Sequence, residues 1–507
     1  TVGAISDLDG NFSLEVKDLK KAILVVSFVG YNTHEEALKG RNKVGIKLES
    51  SVINLGEVVA IGYGTQTRRQ ITGSVANVSE EQFNKGLTRD ASDLLQGRVA
   101  GLNITSGSGD VSSAPQIRLR GTSTLQNDQG PMIVIDGVPG GDMSTVAPDD
   151  IESISVLKDA SSAAIYGSRA AGGVILITTK SGKEGKTTIN YNNSFRFNSP
   201  LNMPEMMDSY TWANYMNSAS INSGGGLWFS ESKLADIKKA QTDPSMVKMF
   251  RNTSNRWEVW DVNDILPLGN TDWFDEHFGN SFSHEHTLSV NGGSEKMKYY
   301  FSANYLDQEG IMTWADENKT RYAVTGKINA DLAKWMKMTY SIRFTRTDFG
   351  NPSYIGTDGG LFYHNVARYW PIVPVLDPNG HYVTESNIQR LTDGGRYETQ
   401  TDILAQQLAL RITPIEGLVV NAELNYRIKN ANEHKDWLPV YAYDCDNNPY
   451  IIENTTTSVW EKAYKSNYFN PNVFAEYSFS LKEDHNFKVM AGFQSEWFRQ
   501  RTLQGQQ

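Results

Sequence analysis

The chain has 507 residues and a formal net charge of −10, from 48 lysines and arginines against 58 aspartates and glutamates. With this acidic balance and no basic block, nucleic acid is excluded as the expected partner. No run of about 18 apolar residues supplies a transmembrane helix. Membrane-crossing β-strands remain open, because each needs only about 9–11 alternating residues. The 23 tyrosines and 11 tryptophans suit a β protein, and the single cysteine, Cys445, forbids an intrachain disulfide framework. The chain opens on Thr1-Val2-Gly3-Ala4-Ile5, without Met, basic segment or apolar segment, so a leader is expected upstream.

Residues 1–50 read as a partial β-sandwich. Asp9-Gly10 between alternating runs marks a hairpin, and Ala22 to Phe28 and Val44 to Leu48 supply further strands. The spacing of Asp7, Asp9 and Asn11 touches a calcium-loop pattern, but Asp18 stands where that pattern needs Glu, which weighs against calcium. A linker over 51–69 follows. Within it, Glu57, Val58, Val59, Ala60, Ile61, Gly62, Tyr63 and Gly64 form a short β-branched run cut off by glycines. It is too short to build a core, and reads either as a strand of a neighbouring domain or as a segment offered to a partner's sheet edge.

Residues 70–182 form a compact α/β domain. Asp93 to Leu102 is a short helix closing on glycine, Gln116 to Gly121 an alternating strand, and Pro131 to Pro139 a buried strand ending in a tight turn. In Ile151 to Lys180, Ile154-Val156 alternate, Asp159 caps a helix, Gly167 ends it, and Val174 to Thr178 is the next strand. Arg118 and Arg120, at i and i+2, are expected on one face.

From 187 to 507 the texture is strict alternation. Nine strands are predicted near 187–198, 284–292, 296–307, 321–332, 335–347, 401–413, 417–429, 468–481 and 485–498. In the first, Ile189, Tyr191, Phe195 and Phe197 oppose Thr188, Asn190, Asn192 and Arg196. Links after even strands are short and links after odd strands long, as in an outer-membrane barrel with short periplasmic turns and long extracellular loops. Nine strands do not close such a barrel. Plugged transporters have about 22, so roughly 13 more are expected.

These strings resemble known families. "DLDGNFSL…LVVSFVGY" resembles the latter half of a carboxypeptidase-D regulatory-like domain. "LGEVVAIGYGTQTRRQITGSV" resembles the TonB-box region of SusC-type transporters, with Gly56 and Ala60-Ile61 as departures. The four motifs of residues 70–182 resemble the TonB-dependent receptor plug. "NTDWFDEHF…HTLSVNGGSEKMKYYFSANYLDQEGI", from Asn270 to Ile311, resembles the SusC/RagA subfamily. The resemblance implies a mainly β fold: an α/β plug inside a transmembrane antiparallel β-barrel, preceded by the partial sandwich. It implies the bacterial outer membrane, with the N-terminal domains periplasmic. It also implies TonB binding at residues 57–64, a SusD-like lipoprotein partner, contact with outer-membrane lipid, and import of a glycan or peptide. Arg118 and Arg120 are then expected to meet carboxylates on the barrel wall.

The long loops carry aromatics, among them Trp212, Trp228, Trp257, Trp260, Tyr363 and Trp370. These are candidates to stack on substrate and equally packing residues of folded loops. His284 and His286 share a strand face without a third metal ligand, and Asp444-Cys445-Asp446-Asn447-Asn448 reads as a polar turn. No catalytic motif or cofactor site is found, so an enzyme is not expected. The rival readings are a surface glycan-binding β protein without transport, and a siderophore or vitamin receptor.

Overall fold

The computed structural model describes residues 4, 6, 11–16, 18–26, 34–48, 58–60, 65–67, 75–83, 90–105, 110–121, 130–246, 249–258, 268–356, 359–481 and 485–507. Two compact units divide the chain, Thr1–Val75 and Ala76–Gln507. In the first, Ile23–Val26 pairs antiparallel with His34–Ala37, and Val58–Ala60 with Thr65–Thr67. The Asp9-Gly10 hairpin lies outside the described residues.

The second unit begins with a five-stranded sheet whose centre is Ile151–Leu157, Val174–Thr179 and Met132–Ile135. The first two run antiparallel, and the last two parallel. Leu94, Leu95, Val99, Ile154, Val156 and Ile175 fill its core. The predicted capping at Asp159 is present: its carboxylate accepts from the Ser162 amide at 2.8 Å, and Gly167 breaks the helical run with a positive φ. The predicted helix at Asp93 is a single 3-10 turn, Asp93–Leu95. Leu94 and Leu95 turn into the core there, so burial rather than helix propagation fixes the segment.

The large sheet follows in chain order: β1 Gly185–Asn198, β2 Ser281–Gly293, β3 Met297–Glu309, β4 Asn318–Ala333, β5 Met336–Pro352, β6 Arg396–Ile415, β7 Leu418–Trp437, β8 Ser458–Leu481, β9 His485–Gln494 and β10 Trp497–Gln506. Each pairs antiparallel with its neighbour, except that β9 and β10 both pair with β8. Their registers are continuous, Asn472 facing Gln494 and Phe469 facing Trp497. They are therefore one strand interrupted at Ser495-Glu496, opposite Pro471, which has no N–H to return. The sequence gives a single strand ending at 498 here; it runs on to Gln506.

Alternation sets the two faces. Across β1 to β7 one row reads Tyr191, Leu288, Ala303, Val324, Phe344, Leu404, Ile428. The adjacent row reads Asn190, Ser289, Ser302, Thr325, Arg343, Ala405, Arg427. The first row looks outward, where a bilayer would lie, and the second faces the plug. Aromatics gather near the two ends of the outer face. Phe195, Phe197, Phe282 and His286 cluster toward the long-loop end, and Tyr477, Phe479 and Phe487 stack toward the short-turn end. Such girdles mark the two membrane interfaces.

β6 and β7 have 20 residues each and β8 has 24, well beyond what crosses the hydrocarbon. The surplus carries the long loops, which fold into an apolar cluster of their own around Trp273, Phe362, Val366 and Val373.

Replacing Val324, which is half exposed on the outer face in the middle of β4, by Arg is expected to cost about 2–4 kcal/mol in a bilayer. The substitution Ala323→Ser, on the opposite face, is expected to cost less. Urea unfolding of the full-length protein in lipid, read by heat-modifiable migration, checks the difference.

Candidate functional site: the plug–barrel interface and the chamber above it

Asp136 is the centre of the interface. Asp136 and Gly137 both have positive φ, and Ile135 pairs with Val138 across them. This is the two-residue turn that Asp-Gly favours, since Gly adopts the left-handed region freely and Asp tolerates it. The turn drives the hairpin tip against the barrel wall. The Asp136 carboxylate accepts from the Thr179 amide at 2.9 Å and the Thr179 hydroxyl at 2.7 Å. It also pairs with Lys327 of β4 at 3.2 Å and Arg343 of β5 at 3.3 Å. Gln407 of β6 donates to its backbone carbonyl at 2.7 Å. Burial pushes this carboxyl up, but Lys327, Arg343 and the Thr179 hydrogen bonds outweigh burial and hold it below the ordinary range.

A second buried carboxylate, Asp150, accepts from the Tyr300 hydroxyl of β3 at 2.9 Å and the Thr325 hydroxyl of β4 at 2.8 Å. Backbone carbonyls of the plug complete the contact: Ser144 receives Arg321, Thr145 receives the Thr345 hydroxyl, and Gly140 receives Arg427 at 2.6 Å. Arg321 is steadied by Glu285 at 3.0 Å, which also pairs with Arg196 of β1 at 2.5 Å. Arg169 pairs with Glu496 at 2.6 Å, beside the break between β9 and β10. The plug is therefore held on its flanks by polar contacts to the inner face.

Above it, toward the long loops, lies a cavity of about 430 Å³. Asp90, Asp110 and Asp142 line it from the plug, and Lys319, Thr345 and Lys429 from the barrel. Burial raises Asp90, against hydrogen bonds from Ser92.

Residues 67–174 match the TonB-dependent receptor plug domain, and residues 1–60 the CarboxypepD_reg-like domain. The TonB-dependent receptor SusC of Bacteroides thetaiotaomicron is 35% identical over 322 residues, 62% of this chain and 28% of that protein. The TonB-dependent receptor P39 of Formosa agariphila is 30% identical over 515 residues, 99% of this chain and 44% of that protein. The RagAB peptide importer in its open-open state superposes with a TM-score of 0.71 at 25% identity, over 89% of this chain and 50% of that one. The chain belongs to the SusC/RagA-type TonB-dependent outer-membrane transporters. It spans less than half the length of the curated relatives it matches.

Of the TonB-box segment, Val58–Ala60 is a strand paired with Thr65–Thr67, while Glu57 and Ile61, Gly62, Tyr63 and Gly64 lie outside the described residues. Arg118 is half-buried in the strand Gln116–Leu119, opposite Asn103. Arg120 lies beyond the strand's end, exposed, with φ 59°. The alternation that put both arginines on one face stops before Arg120. The charged plug–barrel contacts described above belong to Asp136 and Arg169, which sequence reading did not single out. The Asp-Gly turn was visible there; what lies across from it on the strands was not.

Of the loop aromatics, Trp212, Trp257, Tyr363 and Trp370 pack on neighbouring side chains. Trp212 and Trp370 lie 5.6 Å apart between ring centres, and Trp212 also meets Phe229. Trp257 packs on the loop cluster. Tyr363 stacks on Phe278 at 5.9 Å. Trp228 is exposed, and Trp260 lies outside the described residues. None of the described ones among them lines the chamber. His284 and His286 sit in the outer aromatic cluster, with Tyr191 bonded to His286. The Asp444 turn is closed by the Asp446 and Asn448 amides, each at 2.8 Å.

The substitution Asp136→Ala would leave two buried cations facing no carboxylate. A loss of about 3–5 kcal/mol of plug docking is expected, read as protease sensitivity of the plug in the intact barrel. In the wild type this contribution is complete above the ordinary carboxylate pKa of about 3.9. It fades as pH falls through the lower value that Asp136 holds in the folded state.

Proposed function

We propose that the protein imports a hydroxyl-rich oligosaccharide across the outer membrane, driven by TonB acting on residues 57–64. The observation that carries this reading is the plug seated against the inner barrel wall by hydrogen bonds and ion pairs, below a hydrophilic chamber. A plug held by apolar contact would resist water. One held as Asp136, Asp150 and Arg169 hold it can be exchanged for hydration, contact by contact, when force is applied. Val58–Ala60 has a single paired neighbour among the described residues, so its other edge suits strand addition by a partner.

The chamber's carboxylates and threonine hydroxyls suit sugar hydroxyls, which donate and accept. A peptide is the second reading. It is favoured by the likeness to a peptide importer and by the excess of aspartates, which would receive a peptide's amino terminus. A SusD-like lipoprotein is the proposed lid. The 199–280 loop offers Leu201, Tyr215, Ile221, Leu227 and Trp228 to solvent, apolar surface of the kind that partners cover.

Deleting residues 57–64 from the full-length protein is expected to abolish uptake while leaving surface binding intact; unchanged uptake removes the role given to that segment. Asp142→Asn and Lys429→Gln are each expected to weaken substrate binding by about 10- to 100-fold, the cost of a charged hydrogen bond. Calorimetry with oligosaccharide and peptide pools decides between the two substrate classes.

A further inference from the structure

A second cavity, of about 300 Å³, lies between the loop that joins β5 to β6 and the loop that joins β7 to β8. It shares no lining residue with the chamber. Lys429 in the chamber and Trp437 at this cavity both belong to the inward row of β7. The stretch of strand between them places the cavity about 26 Å farther out. Its floor is closed: Phe362 and Val440 are each 1% exposed, and Ser353 is fully buried with its hydroxyl lacking a partner. Its rim is wet, since Glu453 keeps 37% of its side chain exposed.

The polar groups of the lining are held in place but not saturated. Arg390 Nε pairs with Glu453 Oε2, and Nη1 donates to the Thr384 carbonyl at 3.0 Å and to Asn387. These contacts fix the guanidinium. Among the described residues, Arg390 Nη2, Glu453 Oε1, the Tyr354 hydroxyl and the Asn365 carboxamide make no hydrogen bond. Flat apolar surface stands beside them. Tyr354 meets Phe362 edge-on, with ring centres 6.4 Å apart. Lys435 Nζ lies 4.6 Å from the centre of the Trp437 ring. Lys435 does not line the cavity, so the Trp437 surface that does is not the one it covers.

Arg390 and Glu453 cancel each other's charge, so a free carboxylate or amine would find no unpaired counter-ion here. The unmet need is for groups that donate and accept next to an aromatic surface. A sugar ring offers both, with hydroxyls at its edge and C–H bonds on its face. The volume stands at the low end for small-molecule sites, room for one ring rather than a chain. We propose that this cavity is an outer subsite that holds one neutral sugar ring of the incoming oligosaccharide. Trp437 and Tyr354 lie against its C–H face, and Arg390, Glu453 and Asn365 take its hydroxyls. The inference rests on the oligosaccharide reading for the class of ligand, but on residues that reading does not use.

The test is calorimetry on the full-length transporter with hexasaccharides of glucose, mannose, galactose and xylose. Asn365→Phe, which fills the cavity, is expected to weaken the hexasaccharide bound by the wild type about 10-fold or more. Tyr354→Phe keeps the ring and removes only the free hydroxyl, so it is the variant least able to disturb the loops; a loss of about 2- to 10-fold is expected. Asp142→Asn in the chamber is the reference. If it weakens binding while both cavity variants bind as the wild type does, the chamber reading stands and the outer subsite is overturned. If the wild type binds none of the hexasaccharides, the oligosaccharide reading falls and the subsite falls with it. Binding of a tri-alanine peptide that is lost in the same two cavity variants would also overturn the proposal, by showing that the cavity takes peptide.

Discussion

A folded domain inside a β-barrel closes the lumen, and in the import cycle proposed above it must also come out. Asp136 shows how the contact is built for both. Its carboxylate joins the plug's own Thr179 to Lys327 and Arg343 on two adjacent barrel strands. Removing one partner from such a buried group is costly, so at rest the plug stays docked. Yet every member of the cluster is a strong hydrogen-bonding group that water can take over. Strength in the dry state and exchangeability in the wet state follow from the same chemistry. An apolar interface of similar area would supply only the first.

The wall that presents these groups is constrained by the period of two. Because successive side chains change face, Arg343 can reach the plug only if Ile342 and Phe344 look outward. A one-residue slip anywhere between β3 and β6 would put Lys327 and Arg343 on the outer face and carry Asp136's partners away. Register is therefore specified from both sides, by the apolar outer row and by the polar seat of the plug. The long strands β6, β7 and β8 extend the same register beyond the outer aromatic cluster. That gives the loops a rigid base on which Trp273, Phe362 and Val373 build a separate core.

The parts of this arrangement visible in the sequence are those with a local signature. Alternation located the barrel strands and their faces, because period two is written residue by residue. The Asp136-Gly137 turn and the Asp159 cap were visible because turns and caps depend on neighbours in the chain. The ion pairs were not. Asp136 and Arg343 are separated by more than two hundred residues, and no spacing rule joins them. Arg118 and Arg120 stood out for their alternation, but the strand ends at Leu119 and the backbone turns left-handed at Arg120. The loop aromatics were ambiguous for a related reason. A tryptophan that packs and one that stacks on a ligand look alike until a neighbour such as Trp370 is placed beside Trp212.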